Sequence, residues 1–390
     1  MFKRSPKINS YSLHNEVKLI KGGEAYFDLL ETMIAAARHS IHFQVYIYDE
    51  DETGNRIAHA LIAAAIRGVK VYLLVDGYAS KNLSKAFVER LSNTGISFRR
   101  FEPIFQNNRF YFGRRLHHKV VATDFFHCLV AGLNITDRYN DMAETKAWLD
   151  WALYVEGDVA ATLARICIRR FKVRIPLPSG PMQVAPLKVP DTEKDCAVRV
   201  RVNDWVGSKR EITNSYLEMF KTASSHIIIM SPYFLPGDLV RRRIKQAVKR
   251  GVKIQVIQAG VSDILISKYA ERYLYRWLFK NKIEIFEYQK TVLHGKIASC
   301  DGQWATVGSY NLNNLSAYAS VELNLDVDSA PFAKKVELRL KKIMDEDCVR
   351  VTEAAYNKGT NVFEHVLQKI AYNLLRMILF LFTFYFKQKE

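Results

Sequence analysis

Two short segments of the chain repeat the spacing His-x-Lys-x-x-x-x-Asp. The residues concerned are His117, Lys119 and Asp124 in the first segment, and His294, Lys296 and Asp301 in the second. An imidazole can act as a nucleophile, or as an acid and a base, near neutral pH. A lysine ammonium supplies positive charge for phosphate oxygens. The repeated pattern therefore predicts chemistry at a phosphate group, carried by two histidines and two lysines.

The spacing between histidine and lysine suits a β-strand. Residues two positions apart in a strand point to the same face, so His117 and Lys119 can project together, as can His294 and Lys296. A single strand histidine is more often a hydrogen-bonded core residue. The repeated pair argues against that alternative here, because two buried lysines without an anion would be costly.

A similar turn follows each motif, at 131–134 and at 308–311. Each turn contains glycine and ends in an asparagine. Glycine permits close approach of the backbone, and an asparagine amide adds hydrogen-bond donors. These turns therefore extend each candidate phosphate site.

The elements that must position these residues also occur twice. Residues 67–70 and 250–253 both read Arg-Gly-Val-Lys, each preceded by a helical pattern and followed by an apolar strand. Upstream, the β-rich segments 40–48 and 226–234 correspond in the same way. Helices that alternate with apolar strands predict an α/β fold whose sheets are covered on both faces.

A proline-rich stretch lies between the two halves. Prolines break both helices and sheets, so we predict an interdomain linker at 176–195. The predicted domains are then 1–175 and 196–348, followed by a tail at 349–390. The alternative is a long surface loop inside one domain, which the duplication disfavours.

The tail is strongly apolar near its end. Residues 370–386 contain only two strongly polar side chains, and the apolar run is short for a bilayer span of about 20 residues. An interfacial, helical anchor fits this composition better, since aromatic residues favour the membrane interface. The alternative is a helix that packs onto the catalytic core.

Charge and cysteine content narrow the possible partners. The net charge is +17, which attracts nucleic acid or an anionic bilayer, and composition does not separate these two. A basic protein without a polyanionic partner is the less favoured alternative. The five cysteines include no CxxC pair, so a zinc site is not expected, and the pattern fits reduced thiols in the cytosol.

The two motifs and their turns resemble those of the phospholipase D superfamily over roughly residues 15–345. Stretches similar to the cardiolipin synthase branch are Asp76-Gly77, Ser231-Pro232-Tyr233-Phe234-Leu235-Pro236, Ser262-Asp263 and Glu287-Tyr288. The resemblance implies two tandem α/β/α domains related by a pseudo-twofold axis, with mixed sheets flanked by helices. The apolar helical tail would follow them. Three departures from the family pattern are Ala131, Leu315 and Gln44, and the first two concern fine substrate geometry.

The resemblance also implies roles. One histidine would attack the phosphodiester and form a phosphohistidine, and the other would protonate the leaving alcohol and then deprotonate the incoming one. By family habit we assign His117 as the nucleophile and His294 as the acid and base. The residues expected to bind phosphoryl oxygens are Lys119, Lys296, Asn134, Asn311 and Ser309. Asp150 and Glu322 would orient the histidines, while Asp124 and Asp301, which complete the motifs, would brace the strand turns. Neither a metal nor another cofactor is required.

The expected reaction is transfer of a phosphatidyl group from phosphatidylglycerol to a second phosphatidylglycerol, which gives cardiolipin and glycerol. Phosphatidylethanolamine could also serve as donor. The expected partner is an anionic phospholipid membrane, bound peripherally or through the C-terminal tail on the cytoplasmic side, with a monomer as a plausible state. The alternatives are a phospholipase D-type hydrolase, a metal-independent nuclease acting on nucleic acid, and a non-catalytic membrane scaffold.

Overall fold

The fold was derived from a computed structural model of the chain. It describes residues 10–103, 105–106, 109–110, 114–172, 184, 187–313, 316 and 320–387. The departure at Leu315 lies outside the described residues.

The first half of the chain forms a mixed sheet and its helices. Its strands are β1 Asn15–Lys21, β2 Ser40–Val45, β3 Lys70–Asp76, β4 Ser97–Phe101, β5 Phe105–Gln106, β6 Arg109–Phe110, β7 Arg115–Leu116, β8 Lys119–Thr123, β9 His127–Ala131 and β10 Trp151–Gly157. Its helices are α1 Glu24–Ala36, α2 Glu52–Ile66, α3 Lys85–Asn93 and α4 Asp158–Phe171.

The second half repeats this arrangement. Its strands are β11 Ala197–Asp204, β12 Lys209–Arg210, β13 His226–Met230, β14 Lys253–Ala259, β15 Glu284–Tyr288, β16 Ile297–Cys300, β17 Trp304–Gly308, β18 Ser320–Asp328 and β19 Cys348–Val351. Its helices are α5 Glu211–Thr222, α6 Asp238–Lys249, α7 Leu265–Lys280, α8 Ala330–Asp347, α9 Glu353–Gly359 and α10 Val362–Lys387.

The two sheets have matching topologies. The order β1-β10-β9-β8-β2-β3-β4 in the first corresponds strand for strand to β11-β18-β17-β16-β13-β14-β15 in the second. In both, the last three strands of this order are parallel and the other pairs are antiparallel. The second sheet has β12 and β19 as additional edge strands. This correspondence confirms the predicted pair of α/β domains.

The repeated tetrapeptide has the same conformation in both halves. Gly68 and Gly251 have φ angles of 91° and 92°, which place both residues in the left-handed region after α2 and α6. Glycine adopts this region without the steric penalty that a Cβ would impose. Each helix therefore stops at the same place, and the chain turns into the parallel strands β3 and β14.

The two sheets share a central hydrophobic core. Residues of the first sheet, such as Val130 and Trp151, belong to the same buried cluster as Val307 and Leu325 of the second. Helices α4 and α8 also contribute to this cluster, while α1 and α2 cover the outer face of the first sheet and α5 to α7 that of the second. The apolar inner faces account for the close association of the two halves, because each would otherwise be exposed to water.

The linker and the tail are only partly described. Half of the residues in 176–195 lie outside the described part, but Glu193 pairs with Val17 of β1. The second sheet continues through β19 to Val351, past the predicted boundary at 348. The tail contains the predicted helix, α10, which packs against α7, with the rings of Tyr273 and Tyr372 4.9 Å apart.

The first part of α10 therefore contacts the folded core, as the alternative interpretation of the tail required. The side chains of 379–387, on which the interfacial interpretation depended most, lie outside the described part. Within the residues that the structure describes, no helix is both long and apolar enough to cross a bilayer.

Candidate active site

Each histidine motif is held against the opposite half of the molecule. Strand β7 leaves the first half and pairs in parallel with the start of β18, and the backbone N–H of His117 donates to the carbonyl of Val321 at 3.0 Å. Reciprocally, the N–H of His294 donates to the carbonyl of Leu149 at 2.8 Å. Both imidazoles therefore lie where the two halves meet.

Each imidazole is paired with a carboxylate from the opposite half of the molecule. Nδ1 of His117 lies 2.9 Å from Glu322, and Nδ1 of His294 lies 2.6 Å from Asp150. Each carboxylate directly follows the residue whose carbonyl holds the histidine backbone. An Nδ1–H donated to a carboxylate fixes the ring orientation and leaves Nε2 available for chemistry.

The two carboxylates are in different environments. Glu322 accepts hydrogen bonds from the hydroxyls of Ser309, at 2.5 Å, and Ser320, at 2.8 Å. Burial alone would raise the pKa of Glu322, but His117, Lys119 and Ser309 together lower it below its usual value. Burial raises the pKa of Asp150 to about 7, against the opposing effect of Lys296. Glu322 is therefore the more firmly ionised partner.

A difference between the two turns contributes to this contrast between Glu322 and Asp150. Ser309 occupies the position that Gly132 has in the first half. A Cβ at Gly132 would lie 2.3 Å from Oδ1 of Asp150, so the close approach of the turn leaves room only for glycine. Asp150 consequently receives no side-chain hydroxyl from that position.

The two lysines converge on the same region. Nζ of Lys119 donates to the carbonyl of His117 at 2.6 Å, and Nζ of Lys296 donates to the carbonyl of His294. Burial, followed by the charge of Lys296, lowers the pKa of Lys119 to about 7, and burial lowers that of Lys296 to about 8. The positive charge of Lys296 disfavours the charged form of Lys119 across the interface. A bound anion would relieve this repulsion, so the site is suited to an anion.

Both imidazoles are favoured in the neutral form. Burial lowers the pKa of His117, with Glu322 opposing the shift. Burial and then the two lysines lower the pKa of His294 well below its usual value. Nζ of Lys296 also lies 2.7 Å from Nδ1 of His294, so this nitrogen donates to Asp150 when it carries hydrogen and accepts from the ammonium when it does not.

The two asparagines of the turns differ in their contacts. The amide of Asn134 accepts from the N–H of Ile47 at 3.0 Å and donates to the hydroxyl of Tyr139 at 3.1 Å. The amide oxygen of Asn311 is buried and accepts no hydrogen bond from any described residue. Asn311 thus leaves an unsatisfied acceptor in the site, whereas both ends of the Asn134 amide have partners.

Asp124 and Asp301 contact the backbone instead of the imidazoles. Asp124 accepts hydrogen bonds at 2.8 Å from the N–H groups of three consecutive residues that lead into β2, namely Arg38, His39 and Ser40. Asp301 does the same for the residues that lead into β13, namely Ser224, Ser225 and His226. Each aspartate therefore braces the turn into a strand, and these hydrogen bonds place neither carboxylate on an imidazole.

Two tyrosines of the site were missed by sequence reasoning. The ring of Tyr46 lies 4.9 Å from that of His117, and the ring of Tyr139 lies 5.1 Å from that of His294. The Tyr139 hydroxyl is 3.3 Å from Nε2 of His294. The available signal was the position of Tyr139 five residues after Asn134, in a short 3-10 helix, Asp137–Tyr139, that follows the turn.

The departure at Gln44 bears on a neighbouring contact. Its amide oxygen accepts from Nε2 of His118 at 2.8 Å, and its amide nitrogen donates to the carbonyl of Cys167. Ala131, the other described departure, is buried at the end of β9.

Among the described residues, no group of three or more His, Cys, Asp or Glu side chains is placed to hold a metal ion.

Comparison with known proteins gives consistent matches. A family model described as "Cardiolipin synthase, PLD-like domain" matches residues 30–151 and 216–344. The chain is 32% identical to cardiolipin synthase B of Salmonella typhi over 369 residues, which covers 93% of this chain and 88% of the relative. It is 27% identical to cardiolipin synthase 1 of Bacillus cereus over 378 residues, covering 93% of this chain and 71% of the relative.

Solved structures show the same fold at low sequence identity. The phosphatidylserine synthase of Haemophilus influenzae Rd KW20 superposes with a TM-score of 0.74 at 13% identity, covering 96% of this chain and 97% of that chain. The polyphosphate kinase of Porphyromonas gingivalis superposes with a TM-score of 0.56 at 16% identity, covering 88% of this chain and 55% of that chain.

Proposed function

The chain belongs to the cardiolipin synthase, PLD-like domain family, and from this premise we propose that it joins two phosphatidylglycerol molecules into cardiolipin and releases glycerol. The observation that carries the proposal is the exchange of His–carboxylate pairs across the two halves, beside two buried lysines. Such a site offers a nucleophile, a proton donor and positive charge around one phosphate.

In the first step, Nε2 of His117 attacks the phosphorus of the donor lipid. The bond from phosphorus to the headgroup glycerol oxygen breaks, and His294 gives its Nε2 proton to that oxygen. In the second step, a hydroxyl of another phosphatidylglycerol gives its proton to His294 and attacks phosphorus, and the phosphorus–nitrogen bond breaks. Splitting the reaction in this way lets an alcohol replace water as the acceptor.

The difference between the two carboxylates supports this division of roles. Glu322, whose pKa is lowered, stays ionised and stabilises the positive charge that His117 acquires on attack. Asp150, whose pKa is raised by burial to about 7, belongs to the histidine that must gain and lose a proton. The bound phosphate opposes the effect of the lysines on His294, which favours the protonated form required for the first step.

Phosphate binding is assigned to Lys119, Lys296 and Asn311, with Asn134 holding its turn and offering its remaining amide hydrogen. Ser309 acts through Glu322 in this scheme, since its hydroxyl donates to that carboxylate. Asp124 and Asp301 brace the strands. No metal takes part in either step, because the histidines and lysines supply the acid, the base and the charge.

The relatives are named for the synthesis of cardiolipin, in which one glycerol joins two phosphatidyl groups, and this product fits phosphatidylglycerol as the acceptor. Phosphatidylethanolamine is a second candidate donor. A nuclease and a non-catalytic scaffold are less favoured, since the motifs are complete in both halves and the relatives are named as cardiolipin synthases.

The protein is a membrane-associated member of its family, and we assign its contact with the bilayer to α10, on the cytoplasmic side. Exposed apolar side chains of α10 support this, since Phe363 is 70%, Ile370 56% and Met377 53% exposed. A surface of this kind suits peripheral insertion at the level of the headgroups. A monomer is sufficient, since one chain supplies both motifs.

The function is tested with purified protein and phosphatidylglycerol vesicles in the presence of a chelator. We expect equal amounts of cardiolipin and glycerol, and a loss of turnover of about 10⁴-fold or more in His117→Ala and in His294→Ala. The exposed His59 provides a matched control, and His59→Ala should keep full activity. Intact lipid after long incubation with the unsubstituted protein would show that the proposed function is wrong.

A further inference from the structure

The surroundings of the two histidines are not symmetric. The Tyr139 hydroxyl lies 3.3 Å from Nε2 of His294, and the Tyr233 hydroxyl is hydrogen-bonded to Asp263, whose charge acts on Lys296. When the halves are aligned through their motifs and strands, the matching positions hold Ser316, Ile47 and Ser80. The matching positions around His117 therefore hold no phenol and no carboxylate, and the Tyr46 ring that packs against His117 comes from a different position.

Tyr233 is brought to the site by the end of β13. Met230 pairs with Ile297 at the end of the ladder, so the chain beyond β13 runs alongside Lys296 and towards His294. The loop is held against the turn that carries Asn311, because the N–H of Leu235 donates to the carbonyl of Leu312 at 3.1 Å. Tyr233 is thus fixed near the reacting groups.

Asp263 follows the neighbouring strand β14 and is bound to Tyr233. The Tyr233 hydroxyl donates to Oδ1 of Asp263 at 2.5 Å. Burial lowers the pKa of Lys296, and Asp263 is one of the carboxylates that oppose this shift. The charge of Asp263 also contributes, after burial, to the raised pKa of Tyr139. Asp263 is consequently within electrostatic reach of both sides of the site.

An exposed carboxylate at the rim of a phosphate site requires a separate explanation. It repels the phosphate that the lysines attract, so it does not assist phosphate binding. A carboxylate does accept hydrogen bonds from hydroxyl groups, and a phenol can donate or accept. The alcohols of the reaction leave and enter on the side of His294, which is the side that carries these groups.

We propose that Tyr233 and Asp263, together with Tyr139, form a subsite for a polyol headgroup, and this inference rests on the proposed function. The hydroxyl that reacts faces His294, and a neighbouring hydroxyl of the same glycerol moiety donates to Asp263. The subsite therefore selects alcohols that carry a second hydroxyl close to the reacting one.

Competition between two soluble acceptors tests the subsite directly. Phosphatidylglycerol vesicles are incubated with deuterated glycerol and n-propanol at equal concentrations, and the labelled phosphatidylglycerol and phosphatidylpropanol are quantified by mass spectrometry. Both alcohols trap the same covalent intermediate, so the product ratio is independent of how fast that intermediate forms. A third arm replaces glycerol with ethanolamine.

We expect the ratio of glycerol product to propanol product to fall about 10-fold or more in Asp263→Asn, as for a lost hydrogen bond to a charged group. Tyr233→Phe should lower it less, and phosphatidylpropanol should still form in both variants. The control Asp345→Asn removes the same charge from an exposed position on α8 and should leave the ratio unchanged.

The outcomes separate the two proposals. If the unsubstituted protein forms both products but neither variant changes their ratio, the subsite is wrong while the transferase function stands. A preference for ethanolamine over glycerol that Asp263→Asn abolishes would overturn the polyol assignment in favour of a cationic headgroup. If the unsubstituted protein forms neither product, the transferase function itself fails, and the subsite with it.

Discussion

One hydroxyl group distinguishes the two carboxylates that hold the catalytic histidines. Ser309 donates to Glu322, whereas Gly132 at the matching position has no side chain to offer Asp150. Together with the larger effects of His117 and Lys119, this hydroxyl keeps the pKa of Glu322 below its usual value, whereas burial raises the pKa of Asp150. Two nearly identical motifs thereby acquire the different proton affinities that a nucleophile and an acid require.

The lysines predict the pH dependence of the reaction. In the free protein both are charged at acidic pH, and the pKa values of about 7 for Lys119 and about 8 for Lys296 mean that charge is lost as the pH rises through this range. We therefore expect kcat/KM for phosphatidylglycerol to fall between about pH 7 and about pH 9, because this parameter reports the free enzyme. Rates measured on vesicles over this range check the expectation.

Bound phosphate should shift the alkaline decline in the pH profile of kcat to higher pH. An anion next to the ammonium groups favours their charged forms, so kcat should decline at a higher pH than kcat/KM does. A value of kcat/KM that stays constant or increases up to about pH 9 would contradict the assigned role of the lysines.

At the scale of the elements, the pairing of β7 from the first half with β18 from the second positions the active site. Each histidine enters beside the strand or bridge that supplies its carboxylate from the other half. Asp124 and Asp301 serve this arrangement by holding the turns into β2 and β13. Replacing either aspartate should therefore lower the free energy of unfolding more than it lowers the turnover rate.

We expect Asp124→Ala to lower the free energy of unfolding by about 3 kcal/mol, because three N–H groups, one of them in a buried hydrogen bond, lose their acceptor. Asp301→Ala should cost only about 1 kcal/mol, since water can replace the carboxylate at its more accessible turn. Urea unfolding of both variants at neutral pH measures the difference. Full stability combined with lost turnover would instead place these aspartates in the reaction.

The elements were predictable where local pattern decides structure. The matching segments at 67–70 and 250–253 indicated helix, turn and strand, and both glycines adopt the same left-handed conformation. The exchange of carboxylates was not predictable, because the positions of Asp150 and Glu322 along the chain do not tell which histidine each will meet. That pairing depends on how two completed sheets dock, as does the contact of Tyr139 with His294.

For the whole molecule, the net charge of +17 and the exposed face of α10 both favour an anionic bilayer. Replacing Phe363 and Ile370 together by serine should weaken binding to phosphatidylglycerol vesicles about tenfold or more, since two apolar side chains no longer insert. Turnover of a soluble, short-chain substrate should be unchanged, because neither residue contacts the site. Sedimentation with vesicles measures the binding.

A matched control tests whether vesicle binding depends on apolar side chains of α10 in particular or on exposed apolar side chains anywhere on the surface. Ile66 and Leu338 are 74% and 68% exposed on other helices, and their double serine variant should bind vesicles normally. Equal binding by the two double variants would show that α10 is not the membrane contact.

The central claim is that both halves build one site in which His117 becomes covalently phosphorylated with the aid of His294. It is tested most directly by locating the covalent intermediate with a phosphatidyl donor that carries a nitrophenyl leaving group, which departs without an acid. We expect His294→Gln to release a burst of about one nitrophenolate per chain and to carry the phosphatidyl group on His117, whereas His117→Gln gives neither. Phosphatidyl label that persists in His117→Gln would contradict the account.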